Sequence, residues 1–373
     1  MATNSFGNIF KFTTFGESHG KLIGVTIDGC PAGIEVTEDE INESLKLRAP
    51  GKNQYTSPRN EIDQVEIVSG IFSGQTTGAP ITLLIPNKDH DSSKYEEIKD
   101  LLRPGHANYT YLQKYGIFDY KGGGRASARE TAARVAAGVI AGKILAKYNI
   151  KVIAYINSVY NVDINHEVID DIINSGDDVA VENLKSQIVH SAIFCPDINA
   201  EIKIKQKLTD AKEQGDSLGA VVGFAIINCP PGIGDPIYEK LDARLAFAML
   251  SIPASKGFEL GSGFAASRML GSQHNDEFAN INNKVVMNSN NAGGLLGGIS
   301  TGMPIFGKVA FKPTSSIQKV QSTVDLNGNK ASFVLPQGSR HDPCVAIRAV
   351  PIVEAMCNLV LADLMLMNRV AKL

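Results

Sequence analysis

A strand, a Cys-Pro-x-Gly-Ile turn and the start of a helix occur twice in this chain, as Cys30-Pro31-Ala32-Gly33-Ile34 and as Cys229-Pro230-Pro231-Gly232-Ile233. Two further pairs follow in the same order. Gly70-Ile71-Phe72-Ser73-Gly74 with Pro80-Ile81 resembles Gly298-Ile299-Ser300-Thr301-Gly302 with Pro304-Ile305, and Gly124-Arg125 before a helix resembles Gly338-Ser339-Arg340. Self-similarity in a fixed order is the signature of one supersecondary unit built twice, here two degenerate halves of about 1–195 and 218–373. Turns rich in Gly and Pro also recur by chance, so the expectation carries a condition: paired strands and helices must correspond in matching order. A length of 373 residues allows one large domain or two moderate ones. No Pro/Ser-rich linker or charge run divides the chain, so a single domain over 1–373 is expected.

The chain carries 36 Lys plus Arg against 39 Asp plus Glu, a net charge of −3. That balance argues against nucleic acid and against a membrane surface as partner, because binding a phosphate backbone needs a basic excess over the whole domain. With 43% hydrophobic residues the composition also excludes disorder. Cys30, Cys195, Cys229, Cys344 and Cys357 form no CxxC and no metal-ligand spacing. They read as small buried hydrophobes in a reducing, cytoplasmic setting. Met1 to Phe12 has neither the apolar run of a secretory signal nor the arginines of a transit peptide. Val285 to Gly307 lacks charge but is crowded with Asn, Ser and Gly, which is no membrane span.

Periodicity supplies the elements. Leu22 to Gly29 reads as a strand, and Thr37 with Glu40 forms a capping box that opens a helix to about Arg48. Gln64 to Ser69 and Pro80 to Ile85 read as strands. Glu130 to Lys147 is the clearest helix, with Ala132, Val135, Ala136, Val139, Ile140 and Ile144 on one face. Val152 to Val159 and Gly219 to Asn228 read as strands, Ile202 to Gln214 and Leu241 to Leu250 as helices. Val309 to Lys312 and Ala331 to Leu335 are short strands, and Pro351 to Met367 is an apolar helix.

Gly122-Gly123-Gly124-Arg125-Ala126-Ser127-Ala128-Arg129-Glu130 enters that clearest helix. Glycines let backbone approach a phosphate, the helix start offers free N–H groups, and Arg129 and Arg134 add charge. A plain turn capped by Ser127 accounts for the same residues. No Walker A or Rossmann pattern is present, and no HExxH, Cys/His or acidic cluster indicates a metal. Lys312-Pro313-Thr314-Ser315-Ser316 offers a cation, three hydroxyls and a rigid turn, which suits a phosphate or polar ring as well as a solvated loop. Asn291-Ala292-Gly293-Gly294 begins another tight passage that runs to Gly297 and Gly298. His19 in Gly16-Glu17-Ser18-His19-Gly20 and His106 in Arg103-Pro104-Gly105-His106 sit beside polar or cationic neighbours, unlike the remaining histidines. Asp342-Pro343 has the form of a helix N-cap and N1 pair.

Taken together these passages resemble the chorismate synthase family from end to end. Phe15 to Gly20, Arg103 to His106, Gly123 to Thr131, Asn291 to Gly294, Lys312 to Ile317 and Gly338 to Cys344 look like that family's signature passages in the family's order. The resemblance implies an α+β fold with helices layered between antiparallel sheets, a β-α-β sandwich into which an internal pseudo-two-fold duplication would fit, assembled as a homotetramer. It implies conversion of 5-enolpyruvylshikimate 3-phosphate to chorismate by a 1,4-elimination that needs reduced FMN (FMNH2) without net redox change. The other classes weighed are a flavin-binding module without catalysis and a nucleotide-dependent phosphotransferase.

By position in the matched motifs, the resemblance carries flavin contacts to Arg125, Ala126 and Ser127, to Pro253 and Ala254, to Gly297, to Lys312, Pro313, Thr314, Ser315 and Ser316, and to Arg340. His19 and His106 become the residues that handle charge on the leaving phosphate and on flavin, held protonated near neutrality by adjacent anions. Asp342, relayed by Ser18, becomes the group that takes a proton at flavin N5. Arg48, Arg103, Arg129 and Arg134 are candidates for the substrate's phosphate and carboxylates. Lys46-Leu47-Arg48-Ala49-Pro50-Gly51 and Gln54 depart from an Arg-rich family stretch, which weakens any NADPH (NADP) contact there. Asn108 stands where Asp is common. The matched motifs run from Phe15 to Cys344 and leave no room for a reductase domain, so dependence on an external source of reduced flavin is expected.

Overall fold

A computed structural model of the protein describes residues 4–51, 53–57, 63–88, 92–281, 284–336 and 342–372. The first half contains β1 (Ser5–Phe6), β2 (Lys11–Phe15), β3 (Leu22–Asp28), β4 (Glu66–Ile67), the hairpin β5 (Ile71–Phe72) and β6 (Gln75–Thr76), and β7 (Ile81–Pro86). Its helices are α1 (Glu38–Arg48), α2 (Asn108–Tyr115) and α3 (Thr131–Ala146). The remainder contains β8 (Lys151–Val159), β9 (Val162–Asp163), β10 (Ala220–Ile227), β11 (Ser255–Leu260), β12 (Phe278–Ile281), β13 (Lys284–Met287), β14 (Leu295–Leu296), β15 (Ile299–Ser300), β16 (Ile305–Phe311), β17 (Gln321–Val324) and β18 (Lys330–Phe333). Its helices are α4 (Glu167–Ser175), α5 (Asp178–His190), α6 (Ile198–Glu213), α7 (Leu241–Leu250), α8 (Gly271–His274) and α9 (Ala346–Met367).

Two antiparallel sheets enclose helices α1, α3, α7 and α9. One runs β1-β2-β3-β7-β4 and the other β9-β8-β10-β16-β11. In β7 and β16 buried and less buried residues alternate strictly, as required when one sheet face meets the core and the other does not. The inner layers are α1 and α3 on the first sheet and α7 and α9 on the second, with α3 packed along α9. Gly138 explains how close that packing is: a Cβ there would lie 2.5 Å from the Ala355 Cβ, so only glycine lets the two backbones meet. Gly138 faces Ala355 and Gly142 faces Asn358, so α3 and α9 run parallel. Their N-termini lie at the same end of the molecule, and so do their positive dipole ends.

Helix α9 is long and apolar enough to cross a membrane, but 83% of its most apolar window is buried inside the protein. Val353, Val360 and Leu361 on it are fully buried, each contributing roughly 1.5–3 kcal/mol of apolar transfer. It starts five residues before Pro351, which sits inside the helix and not at its first position as the sequence pattern suggests. The sequence pattern leaves out α2, α4, α5 and α8, and it starts α6 at Ile202 where the helix begins at Ile198. Elsewhere α1 has the expected capping box, with Glu40 N–H donating to Thr37 Oγ1 at 3.3 Å and Thr37 N–H to Glu40 Oε2 at 3.0 Å. All five cysteines are free and buried.

The strands β2-β3-β7-β4 of one sheet and β8-β10-β16-β11 of the other follow the same spatial order. The helix after each Cys-Pro turn, α1 or α7, and a long helix later in the chain than each sheet, α3 or α9, lie inside, although α2 intervenes before α3. Local hydrogen bonds repeat as well. Gly33 N–H donates to Thr76 O (2.8 Å) and Gly232 N–H to Ser300 O (2.9 Å). Thr76 Oγ1 and Ser300 Oγ donate to Pro31 O and Pro230 O, each at 2.6 Å. Thr77 N–H meets Gly70 O at 3.0 Å, and Thr301 N–H meets Gly294 O at 2.9 Å. These bonds align Gly70 with Gly294, and Ser73-Gly74 with Gly297-Gly298, a register four residues from the sequence pairing of Gly70 with Gly298. A Gly-rich hairpin matches itself at more than one offset, and the Thr76/Ser300 hydroxyl settles which offset is used.

Candidate active site

At the end where α3 and α9 begin, the glycine-rich loop lies against two imidazoles. Gly122 (φ +66°) faces His19 and Ser18, and a Cβ there would fall within contact of the imidazole and 2.8 Å from Ser18 Oγ. Gly123 (φ +90°) faces His106, whose Cε1 and Nε2 would lie 2.9 and 3.0 Å from a Cβ. Adjacent peptides therefore touch both rings by their Nε2 sides. His19 Nδ1 bonds Ser92 Oγ at 2.9 Å, which leaves the other nitrogen toward the loop. Tyr95 stands edge-on to His19 at 5.3 Å and lies under the Arg103 guanidinium at 5.9 Å. Sequence inspection gave no signal for Ser92 or Tyr95, which lie in an ordinary polar stretch.

The Lys312 to Ser316 passage closes on the Arg103 to His106 turn. Lys312 Nζ donates to Gly105 O at 2.6 Å, and Arg103 Nη2 to Ser316 Oγ at 2.9 Å. A Cβ on Gly105 would sit 3.2 Å from the Ser315 Cβ. Lys312 N–H donates to Ala254 O at 3.0 Å, which attaches the Pro253-Ala254 turn. Asn108 Nδ2 donates to Leu101 O at 3.1 Å while its Oδ1 accepts from Arg103 N–H at 3.3 Å. An Asp carboxylate could accept but not donate, so this departure from the family pattern braces the Arg103 turn with one bond more.

His106 differs from expectation. Burial, Arg103 and Lys312 push its pKa down to about 3, because its nearest charges are cations and not anions. It is neutral at pH 7 in this arrangement. Lys312 is lowered too, by burial and by Lys256. The cluster is short of negative charge.

The arginines divide. Arg48 and Arg129, buried to 0% and 4% exposure, both bind the carboxylate of Asp63, itself 2% exposed. The Arg48 Nη2 to Asp63 Oδ2 distance is 2.5 Å, Arg129 Nη1 binds Asp63 Oδ1, and Arg129 Nε donates to Asn87 Oδ1 at 2.8 Å. Arg48 is thus an internal strut and not an open anchor for substrate. Its pKa is lowered to about 10 by burial, with Arg348 and Arg129 adding to the effect against Asp63. Asp63 was missed in the sequence, where nothing distinguishes it. Arg134 is held by Glu130 (3.0 Å) and donates to Ser251 Oγ at 2.7 Å. Arg103 keeps the most direct place beside the imidazoles. A small cavity at this end is lined by Arg48, Arg348, Ala128, Thr131, Pro253 and Val345.

Other expected residues fall elsewhere. Asp342 does not cap α9, whose N-cap Val345 makes no side-chain bond. Its carboxylate accepts from Ser57 N–H (2.7 Å) and from Arg348 Nη1 (2.9 Å). Ser18 Oγ has no hydrogen-bond partner, so no Ser18–Asp342 relay is formed here. Ser127 Oγ accepts from Arg129 N–H at 3.3 Å, so its capping role is real, and Ala126 lies one residue before it in the same turn. Gly297 (φ +61°) occupies a hairpin tip whose neighbour Gly298 packs on Lys240, and exposed Gln54 bonds Tyr55 OH at 2.8 Å. Arg340 lies outside the described residues, as do Gly338, Ser339 and His341.

Buried polar atoms without partners are uncommon in folded proteins and require a reason. Ser18 Oγ, His106 Nδ1 and Thr314 Oγ1 are three such atoms, and all belong to the passages that converge here. Cations, hydroxyls and glycine peptides fit a flat, phosphate-bearing group such as FMN.

Comparison with known proteins agrees. The family model described as chorismate synthase matches residues 10–366. The chain is 58% identical to the chorismate synthase of Protochlamydia amoebophila over 373 residues, the whole of both chains. It is 48% identical to that of Archaeoglobus fulgidus over 365 residues, 98% of each chain. A crystal structure of chorismate synthase superposes with a TM-score of 0.75 at 32% identity, covering 97% of this chain and 93% of that one. The mixed α+β layering, the converging loops and these full-length matches together place this chain in the chorismate synthase family.

Proposed function

We propose that this protein is a carbon–oxygen lyase acting on a phosphate ester, converting 5-enolpyruvylshikimate 3-phosphate to chorismate in the last step of the shikimate pathway. The C3–O bond breaks and phosphate leaves with its electron pair; the C6–H bond breaks with hydrogen leaving as a proton, and that bond's electron pair stays in the ring, which gains a double bond with no net change of oxidation level. The observation that carries this reading is that His19 and His106 meet the Gly122-Gly123 peptides while Arg103 and Lys312 lie beside His106, joined to the Gly105 and Ser316 turns. Arg125, Ala126, Ser127, Pro253, Ala254 and the residues from Lys312 to Ser316 would hold reduced FMN, which supplies transient electron density to the substrate ring. Arg103 and Lys312 attract the leaving phosphate and stabilise its developing charge. His106, neutral beside these cations, becomes basic enough to take up a proton once an anion lies among them. His19, fixed through Nδ1 by Ser92, presents Nε2 to the same place. Asp342 is kept as the proton acceptor at flavin, on condition that it leaves the Arg348 pair seen here.

The deciding assay is anaerobic incubation with chemically reduced FMN and 5-enolpyruvylshikimate 3-phosphate. Phosphate and chorismate should appear in equal amounts; flavin binding without either product would leave a non-catalytic flavin module instead. With NADPH and oxidised FMN alone in air, no turnover is expected, since reduced flavin comes from outside the chain. A second expectation concerns protons. His106 is neutral at pH 6, between its lowered value of about 3 and the unperturbed value of about 6.5, so binding the phosphorylated substrate at pH 6 should draw up to about one proton per site. Calorimetry in buffers of different ionisation enthalpy measures this uptake, which His106→Asn should abolish; equal uptake in the variant would assign the proton elsewhere.

A cytoplasmic homotetramer of single-domain subunits, each of two degenerate halves, completes the reading. The matched strand orders and turn bonds support the duplication, and exposed Tyr238 (88%), Phe264 (79%) and Val285 (76%) support subunit contacts.

A further inference from the structure

We infer that Thr14 is a positioning residue for this active site, the hub of a buried relay that holds the His19 turn, the glycine-rich loop and the Pro253 turn in register. The inference rests on the proposed reaction for its kinetic readout. Thr14 is 6% exposed and Glu130 5%, so neither contacts solvent appreciably. Thr14 Oγ1 donates to Glu130 Oε1 at 2.9 Å and accepts from Arg125 Nη2 at 2.8 Å. The direction is forced: an arginine can only donate, an ionised carboxylate can only accept, and one hydroxyl does both.

Each end of the relay holds a different segment. Arg125 also donates through Nη1 to Gly16 O and through Nη2 to Thr14 O, both at 3.3 Å. It therefore grips the end of β2 just before Ser18 and His19, and fixes the distance between that turn and the loop carrying Gly122 and Gly123. At the other end, Glu130 accepts from Arg134 Nε at 3.0 Å, and Arg134 Nη1 donates to Ser251 Oγ at 2.7 Å, two residues before Pro253. Thr14 and Glu130 are 116 residues apart in sequence. Without the hydroxyl, Arg125 loses its shortest bond, and the His19 turn loses this link to the Pro253 side, leaving the Lys312 link, which holds the His106 turn. Charge-assisted hydrogen bonds of this kind are the stronger ones, and short misplacements in an active site are costly to rate.

The test compares wild-type protein, Thr14→Val and Thr14→Ser with reduced FMN present. Thr14→Val keeps the branched shape suited to a strand and removes only the hydroxyl. It should lower kcat about 10- to 100-fold, the range typical for partners that orient a contacting residue, and weaken FMN binding, measured by fluorescence titration, at least about threefold. KM for the phosphorylated substrate should stay within about threefold, because Thr14 touches no substrate, and Thr14→Ser should restore kcat to within about threefold of wild type. Glu130→Gln keeps the acceptor but loses the charge. It should show the same pattern at about 3- to 10-fold and carries the test if Thr14→Val does not fold. Wild-type kcat and FMN affinity in Thr14→Val, or a Thr14→Ser protein as impaired as Thr14→Val, would overturn the inference. A wild-type protein that binds FMN but releases no phosphate would instead overturn the proposed reaction, leaving the FMN titrations to decide the relay.

Discussion

Asp63→Ala is expected to lower the free energy of unfolding by about 3–5 kcal/mol, the cost of removing one partner from a buried ion pair. The carboxylate is 2% exposed and binds two guanidinium groups exposed to 0% and 4%. Arg348 and Arg129 stand close enough to depress Arg48 further, so removing Asp63 takes the shared carboxylate from a group of mutually repelling cations. Surface pairs make the contrast: Lys46–Glu43, with both side chains more than half exposed, is worth about 0–1 kcal/mol. Burial pushes the Asp63 carboxyl up, but Arg48 and Arg129 outweigh burial and hold it below its usual value. A carboxyl lowered in the folded state contributes stability that is complete above its unfolded pKa of about 3.9 and disappears as pH falls through the lowered folded value. The gap between wild type and Asp63→Asn in urea denaturation followed by circular dichroism should therefore be full at pH 6 and narrow below pH 4. Unfolding free energies within about 0.5 kcal/mol of each other at pH 6 would mean that the arginines do not depend on Asp63.

Asp63 also shows where sequence reading stops. The capping box at Thr37 and Glu40, the apolar face of α3 and the extent of α7 are local properties, decided by residues within one or two turns, and they were legible. The motif passages were legible as passages, because their residue types are unusual together. What Asp63, Thr14 and Ser92 do is decided by segments 66, 116 and 73 residues away, and a single Asp, Thr or Ser carries no local mark of such a partner. The arginines misled for the same reason. Guanidinium groups suit substrate anions, yet Arg48 is occupied by a protein carboxylate. His106 reverses an expectation built on its ligand's charge, since the protein alone surrounds it with Arg103 and Lys312. The balanced total charge hid this local excess of cations. The turn bonds pair the two Gly-rich hairpins four residues from where the sequence pairs them, because glycines at φ > 0 recur on both sides of that match.

Gly122→Ala should reduce kcat/KM at least about 100-fold while the protein stays folded. Two costs arise, and they can be separated. The first is conformational: φ is +66°, and an L-residue in the left-handed region costs roughly 1–2 kcal/mol. Gly328, at φ +86° with nothing within 4 Å of a Cβ, isolates that cost, so Gly328→Ala should destabilise by a similar amount with normal turnover. The second cost is positional. At Gly122 the new Cβ meets the His19 imidazole and comes within 2.8 Å of Ser18 Oγ, while Arg125 holds the far side of the loop to Thr14 and Gly16. The loop cannot retreat without breaking those bonds, so the imidazole moves, and a displacement of about 1 Å at a reacting group costs on the order of 100-fold in rate. Gly123→Ala tests the same geometry from the other ring, where His106 Cε1 lies 2.9 Å from the added carbon. If Gly122→Ala and Gly328→Ala proved equally active, His19 would not need the position it occupies, and its place in the chemistry would fall with it.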